Sequence, residues 1–341
     1  MKPQAAQVTE GEHRRPGDLR AYLFDRTGAV SIQLHALPVR PAPEGGFTWF
    51  DVTDPGAEHL EMLQGRFGLH PLAVEDALHA HQRAKVEGYS TFQFVVVHGV
   101  SRGDQGTLNI HELNLFVGAD FVISVRHGHG FDPQHILDRW ERVPQDWQPD
   151  PSSLFYVLLD ALVDDYAPFT DALEDDLRDI RHQLVTQPAL EEGELRRIFT
   201  ISELAYAAHA VAFPLKDVLT TLLRAGPPVV SELEIPYFRD IRDHVEHVVE
   251  RLNLARATAD RAFDIYQSLE AREQGAASRQ LTQVATVFLP LTLVTGFFGQ
   301  NFSFLVDRLI TSPRAFWIFG VGLEVLVLVL TLIFVRRLGR R

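Results

Sequence analysis

Two long apolar runs close to the C-terminal end dominate the pattern of hydrophobic and polar positions along this chain. Residues 280–299 contain no charged residue, and residues 314–335 contain only Glu324 after Arg314. A helix of about 20 mostly apolar residues spans the ~30 Å hydrocarbon core of a bilayer, so the pattern predicts two transmembrane helices. Residues 300–313 between them are too few for a domain, so we expect a hairpin with both ends on one side.

The arginines around the two runs predict their orientation. Basic residues precede the first run and follow the second, and fewer lie in the loop between the runs. The positive-inside rule therefore places both termini in the cytoplasm of a multi-pass protein in the cytoplasmic (inner) membrane, in contact with lipid, with residues 336–341 as a basic cytoplasmic tail. The polar N-terminal residues do not read as a signal peptide.

The cytoplasmic part divides by pattern into three segments. Residues 1–18 look disordered, and residues 19–148 mix short β-rich runs with short helical patterns, which predicts an α/β domain with one sheet. The expected strands are 20–25, 30–37, 47–52, 91–100 and 108–126, the last one divided at 118–120, and the expected helices are 55–78 and 133–142.

Residues 149–279 have a helical pattern throughout. We expect one amphipathic helix over 154–184, a second over 191–224, and a third that begins near Glu232. The third contains no Gly or Pro over residues 237–274, so it can continue into the first membrane run as roughly 90 Å of helix. Because such a helix cannot stand alone in water, the pattern predicts partners, most simply copies of itself around an axis.

Composition and charge exclude several classes of function. The chain has a net charge of −13 and contains no Cys. A protein that binds nucleic acid by neutralising phosphates is therefore unexpected, and disulfides, thiol catalysis and Cys-based metal sites are excluded. Residues 271–341 carry +5, which leaves −18 for the rest of the chain. This acidic body suggests cations as partners, although solubility alone would also explain it.

Several motifs, in order along the chain, resemble the family of CorA-type divalent metal ion channels, which transport magnesium and cobalt. Residues 67–76 with 82–87 resemble the N-terminal signature of that family, and residues 237–244 resemble its stalk signature. Residues 281–292 resemble its first span. Residues 299–302, Gly-Gln-Asn-Phe, stand where the family has Gly-Met-Asn-Phe at the pore. The resemblance covers the chain from about residue 20 onward.

The resemblance implies a homopentamer with an α/β cytoplasmic domain, a long helical stalk and a two-helix transmembrane hairpin. The first span would line a pore for Mg²⁺, with Co²⁺ and Ni²⁺ as further substrates, and the second would pack outside it. No cofactor is implied, and Mg²⁺ would be both substrate and regulatory ligand. The sequence also contains a heptad seam of mostly small residues, which is typical of close packing between membrane helices or around an axis. The seam residues are Ala285, Leu289, Thr292, Gly296 and Gly299.

The same resemblance gives individual residues roles in a pore. Mg²⁺ holds its waters tightly and prefers oxygen ligands, so a ring of five Asn301 amides could bind the hydrated ion. Gly299 would allow the turn that presents Gln300 and Asn301, while the Thr292 hydroxyl and the Gly296 carbonyl would face the ion path. Two leucines, Leu281 and Leu289, would form hydrophobic gates. The proline at position 290 removes a helical donor and should loosen the helix there.

Departures from the family pattern leave the identity of the ion open. Gln300 replaces the usual Met, and residues 302–313 lack the Met-Pro-Glu-Leu run of the family. A zinc-handling branch of the superfamily also departs from Gly-Met-Asn, so Zn²⁺ is an alternative to Mg²⁺. Histidine pairs occur at 79 and 81, 127 and 129, and 244 and 247, but two His are rarely a complete zinc site.

Two acidic residues have both a functional and a structural interpretation. Asp240 falls in the stalk signature, where the family has an acid of a regulatory divalent site, although the partner acid would fall at Ser90 or Thr91 here. Glu324 lies near the middle of the second span, where a carboxylate costs about 2.5 kcal/mol or more. It either couples proton and metal movement or is neutral and bonds to Thr286, Thr292 or Thr295.

Two other classes of function would leave different marks in the sequence. A membrane-anchored metal sensor or scaffold would need the hairpin but not the series from Pro290 to Asn301. An enzyme is not expected, because the sequence contains no nucleotide loop, nucleophile motif or HExxH motif. The sequence therefore predicts a divalent cation transporter.

Overall fold

A computed structural model describes residues 17–25, 28–32, 46–103, 106–128, 132–143, 147, 150–186, 192–226, 229–300, 308 and 312–338. Asn301, most of the loop over 300–313 and nearly all of the predicted disordered N-terminus lie outside these residues. Contacts within the chain divide it into two units, Met1–Phe263 and Asp264–Arg341. Each unit is described by itself.

The first unit contains a seven-stranded mixed sheet, which confirms the predicted α/β domain. The strand order is β2-β1-β3-β7-β6-β5-β4, and only the β3–β7 pair is parallel. The break predicted at 118–120 separates β6 from β7, while the short edge strand β4 was not predicted. The strands are β1 (Asp18–Asp25), β2 (Gly28–Ile32), β3 (Phe47–Thr53), β4 (Lys85–Gly88), β5 (Phe92–Arg102), β6 (Leu108–Gly118) and β7 (Phe121–Arg126).

Helices α1 (Ala57–Phe67) and α2 (Pro71–Leu78) cover one face of the sheet. Leu60 and Leu63 are fully buried there among the apolar side chains of the strands. Gly68 ends α1 in the left-handed conformation, at φ 63°, where a side chain would be strained. The helical stretch predicted over 55–78 is therefore two helices, and the motif at 67–76 that resembles the family signature forms the turn between them and most of α2.

The opposite face is covered by helices α3 (Pro133–Trp140), α4 (Pro151–Asp164), α5 (Tyr166–Thr186) and α6 (Glu192–Ala225). The single helix predicted over 154–184 is wrong, because the chain breaks between Asp164 and Tyr166. Pro168 explains the break: it has no N–H for the Asp164 carbonyl, and its ring crowds that carbonyl in a continuous helix.

Helix α7 (Ile235–Phe298) is continuous over 64 residues, as the sequence predicted. It contributes to both units. By length and composition, three helical segments of the described chain are long and apolar enough to cross a membrane: 193–225, 235–297 and 317–337. The sequence predicted two. The segment that was not predicted is 193–225, in α6. It is apolar because residues such as Ile201, Leu215 and Leu219 are buried inside the first unit.

After α7, the second unit contains a single turn, α8 (Pro313–Ala315), then a π-helix (Phe316–Gly322) and helix α9 (Leu323–Leu338). The sequence predicted a regular second span over 314–335. The π-helix was not expected, because apolar residues in a membrane run fit both helix types.

Candidate functional site

The predicted seam forms one exposed face of the C-terminal part of α7. Ala285, Leu289, Thr292, Gly296 and Gly299 are all exposed in the single chain. At 100° per residue they fall within an arc of about 80° on the helix surface. Large apolar residues on this helix are equally uncovered, with Leu281 72% and Leu289 74% exposed. The proposed gate residues are thus available for contact with other copies, and their roles stay predictions.

The opposite face of this segment is partly covered. Val287, Pro290, Leu291 and Val294 are half-buried, and on a helical wheel they centre roughly 170° from the seam. A matching half-buried stripe comprises Val321 at the end of the helical segment before α9, and Glu324, Val327, Leu328, Thr331 and Val335 on α9. These stripes have the spacing of two helices that pack against each other in a hairpin, which leaves the seam free.

Thr292 presents acceptor lone pairs on the seam. Its Oγ1 donates a hydrogen bond to the Phe288 carbonyl at 2.8 Å. A hydroxyl has one donor and two acceptor sites, so the donor is used inside the helix. Thr286 bonds in the same way to the Thr282 carbonyl at 2.7 Å. Only Thr292 lies on the seam, where an oxygen with free lone pairs suits a cation or its water shell.

Gly299 and Gln300 form a turn directly after α7. The Gly299 N–H donates to the Thr295 carbonyl at 2.9 Å, and the Gln300 N–H donates to the Phe297 carbonyl at 3.4 Å. A Cβ on Gly299 would lie only 3.1 Å from the Thr295 carbonyl oxygen, so the absence of a side chain at Gly299 lets the backbone turn close to that oxygen. Gly296 has open space around its Cβ position. Asn301, the central filter prediction, lies outside the described residues.

Glu324 forms a polar contact between the two membrane segments. The Thr295 Oγ1 lies 2.8 Å from Glu324 Oε1 and 2.9 Å from the Leu291 carbonyl oxygen. Of the three threonines that the sequence offered as partners, the structure pairs Glu324 with Thr295. Thr295 lies beside the seam and not on it.

Asp240 lies in the first unit on an exposed part of α7. Its Oδ2 is 3.7 Å from His244 Nε2, and its side chain is 64% exposed. Helix α4 contributes Asp160 and Asp164, which share Arg139 at 3.1 and 2.8 Å. Burial raises the pKa of Asp160, and repulsion from Asp164 and Asp240 adds to this increase, while Arg139 opposes it. The regulatory role of Asp240 stays a prediction.

The histidine pairs do not form a metal centre in the described chain. The His79 ring Nδ1 is 2.8 Å from the Glu75 carbonyl oxygen, and the His127 ring Nε2 is 3.0 Å from the Ala77 carbonyl oxygen. Among the residues that the structure describes, no group of three or more His, Asp or Glu side chains is arranged to hold a metal ion. His129 lies outside those residues.

Glu234 is a residue that the sequence analysis missed. It is 2% exposed and lies directly before α7. The hydroxyls of Ser152 and Ser153, in the first turn of α4, donate to its carboxyl oxygens. Burial raises the pKa of Glu234, although these hydrogen bonds oppose the increase. The carboxyl therefore ties the start of α7 to α4. The sequence gives little indication of this contact: Glu234 is an acidic residue directly before the Ile-Pro pair with which α7 begins.

A comparison with known proteins places the chain in a family. Residues 44–337 match the model of the family described as "CorA-like Mg2+ transporter protein". Two relatives of the chain differ in their stated substrates. The cobalt/magnesium transport protein CorA of Thermotoga maritima is 30% identical over 271 residues, 76% of this chain and 74% of that protein. The zinc transport protein ZntB of Yersinia pestis is 24% identical over 328 residues, 94% of this chain and 96% of that protein.

Solved structures give the same fold. The complete CorA magnesium transporter from Methanocaldococcus jannaschii matches with a TM-score of 0.77 at 19% identity, over 94% of this chain and 97% of that one. The full-length CmaX protein matches with a TM-score of 0.75 at 19% identity, over 97% and 99%. Both similarities cover the sheet domain, the long helix and the C-terminal helices of this chain.

Proposed function

The chain belongs to the CorA-like Mg²⁺ transporter family, and we propose that it carries Mg²⁺, with Co²⁺ and Ni²⁺ as further substrates, through a homopentameric pore in the cytoplasmic membrane. The observation that carries this proposal is the exposed seam on α7. A helix of membrane length leaves one face of small and hydroxyl-bearing residues uncovered, while its opposite face is half-buried. Such a face suits an axis shared by several copies.

The seam supplies the kind of ligand that a hydrated divalent ion needs. Five Thr292 hydroxyls, each with its proton held by the Phe288 carbonyl, would turn oxygen lone pairs toward the water shell of the ion. The Gly296 carbonyls would lie just beyond them, and the turn at Gly299 and Gln300 would present Asn301 at the outer mouth. Rings of neutral oxygens bind strongly enough to select an ion and weakly enough to release it.

Two leucine rings would close this path. Leu281 and Leu289 lie eight residues apart, about 12 Å along the helix. Rings of apolar side chains at these levels can expel water and block ions without occluding the pore sterically. Both termini of each subunit would lie in the cytoplasm.

Metal flux into proteoliposomes tests the proposal. The purified protein is reconstituted, and uptake of Mg²⁺, Co²⁺, Ni²⁺ and Zn²⁺ is measured in parallel against empty liposomes. Uptake of Mg²⁺ that Co²⁺ and Ni²⁺ share is the expected result. Absence of uptake of all four ions from correctly assembled protein would favour the sensor or scaffold interpretation.

Zinc transport is the second candidate. The chain aligns with the zinc transport protein ZntB of Yersinia pestis over 94% of its length. Gln300 replaces the Met of the Gly-Met-Asn motif, which is the kind of departure that the zinc-handling branch has. Uptake of Zn²⁺ without Mg²⁺ in the same assay would favour this candidate.

A further inference from the structure

The hydroxyl of Thr295 has two acceptors and one proton. Its Oγ1 lies 2.9 Å from the Leu291 carbonyl oxygen, which can only accept, and 2.8 Å from Glu324 Oε1. An ionised carboxylate can also only accept, so one of these two contacts would then lack a proton. Both are hydrogen bonds at once when Glu324 carries the proton and donates it to Thr295 while Thr295 donates to Leu291.

The surroundings of Glu324 favour the neutral carboxyl group. Glu324 is ten residues after Arg314 and twelve before Arg336, and the nearest charged side chain before Thr295 on α7 is Arg279. No cation of the described membrane segments is therefore close enough along these helices to pair with a carboxylate. A charge without a partner at this depth is costly, whereas a protonated carboxyl group with an acceptor is not.

The π-helix determines where Glu324 points. It ends at Gly322, two residues before Glu324, and a Cβ on Gly322 would lie 3.2 Å from the Trp317 carbonyl oxygen. A π-helix holds more residues in each turn than an α-helix, and every added residue rotates the following side chains by about 100°. The segment thus directs the carboxyl group toward Thr295.

The contact lies beside the seam, because Thr295 stands between the seam residues Thr292 and Gly296 along α7. Thr295 directly precedes Gly296. Its carbonyl oxygen accepts a hydrogen bond from the Gly299 N–H, at 2.9 Å, in the turn that follows α7. A bond from α9 to Thr295 therefore restrains the rotation of α7 about its axis at these two glycines. The apolar contacts around it are not directional, so the hydrogen bond adds a restraint of its own to that of packing.

We propose that Glu324, as a protonated carboxyl group, is a positioning residue that holds the outer end of α7 through Thr295, so that the Gly296 and Gly299 backbone faces the ion path. The proposal rests on the proposed transport function. A single interhelical hydrogen bond in a membrane corresponds to about a three- to eighteen-fold change in the population of the held state. We expect loss of the bond to lower metal flux by a similar factor.

Flux in proteoliposomes and infrared spectroscopy together test the proposal. Glu324→Gln keeps a donor and should keep wild-type flux, whereas Glu324→Leu and Thr295→Val should lower it, with no further loss in the double variant. Thr331→Val is the matched control, because the Thr331 hydroxyl donates within α9. Oligomer mass and circular dichroism of each variant show that the protein has folded and assembled.

The infrared readout separates a positioning role from packing. At neutral pH, the difference spectrum of wild type minus Glu324→Gln should contain a protonated carboxyl band, and Thr295→Val should shift it. A carboxylate band instead, an unshifted band, or wild-type flux from Glu324→Leu would each overturn the proposal. If the band shifts as expected but the wild type transports no metal, the contact stands and the proposed function fails.

Discussion

Single residues decide selectivity in the proposed pore, and Asn301 is the first to test. Asn301→Ala removes the ring of amide oxygens that is predicted to bind the hydrated ion, so we expect selective Mg²⁺ uptake to be abolished while the protein still assembles. Uptake by proteoliposomes measures the effect. Gln300→Met, which restores the residue usual in the family, is the control and should be milder. Wild-type uptake by assembled Asn301→Ala would remove this residue from the filter.

Asp240 is the second residue whose role can be measured. If it belongs to a regulatory site, bound Mg²⁺ relieves carboxylate repulsion and holds the pore shut. Asp240→Ala should then require on the order of tenfold more Mg²⁺ for protection against protease.

Asp243→Ala is the matched control for this test. Asp243 lies one turn further along α7, is 57% exposed and pairs with Arg242 at 2.9 Å. An unchanged Mg²⁺ dependence in Asp240→Ala would mean that Asp240 is an ordinary exposed helix residue and that the acidic cluster with Asp160 and Asp164 is only solvated.

At the level of elements, the buried Glu234 joins two helices and should make stability depend on pH. Its pKa is raised by burial, so the folded protein binds its proton more tightly than the unfolded chain does. The resulting stabilisation is complete below the unfolded pKa of about 4.3 and is lost as pH rises through the folded pKa. Glu234→Gln should remove this dependence.

Thermal unfolding of the full chain in detergent, followed by circular dichroism from pH 4.5 to 8, measures the difference between wild type and Glu234→Gln. Glu232→Gln is the control, because Glu232 is exposed two residues earlier. If the stability of the wild type and that of Glu234→Gln fall in parallel as pH rises, ionisation of Glu234 does not cause the pH dependence.

The whole molecule should be a pentamer. The exposed seam of small and hydroxyl-bearing residues on α7 suits close contact with the same face of other copies around an axis. Native mass measurement in mild detergent should give five times 38.5 kDa. A clean monomer or dimer would contradict the pore, because so few spans cannot enclose a channel.

Much of the fold follows from local patterns. The β-rich apolar runs of β5 and β6, the break at Gly118, and the continuous helix from Ile235 to Phe298 are all visible in the sequence, because strand and helix patterns differ and few residues interrupt them. Pro168 also encodes the break between α4 and α5 after Asp164. The apolar stripe continues across this break, so the pattern alone predicted a single helix. The strand β4 was missed because four partly polar residues carry too little periodicity.

The sequence by itself determined the two apolar runs of membrane length, the seam on α7 and the presence of an acid in the second run, since these depend on composition and spacing along one helix. Only the tertiary structure decided which threonine bonds to Glu324, because the π-helix changes the phase of the side chains that follow it. It also decided that α6 packs on the sheet and that Glu234 joins α7 to Ser152 and Ser153. Those contacts bring together residues distant in sequence, whose pairing no local period encodes.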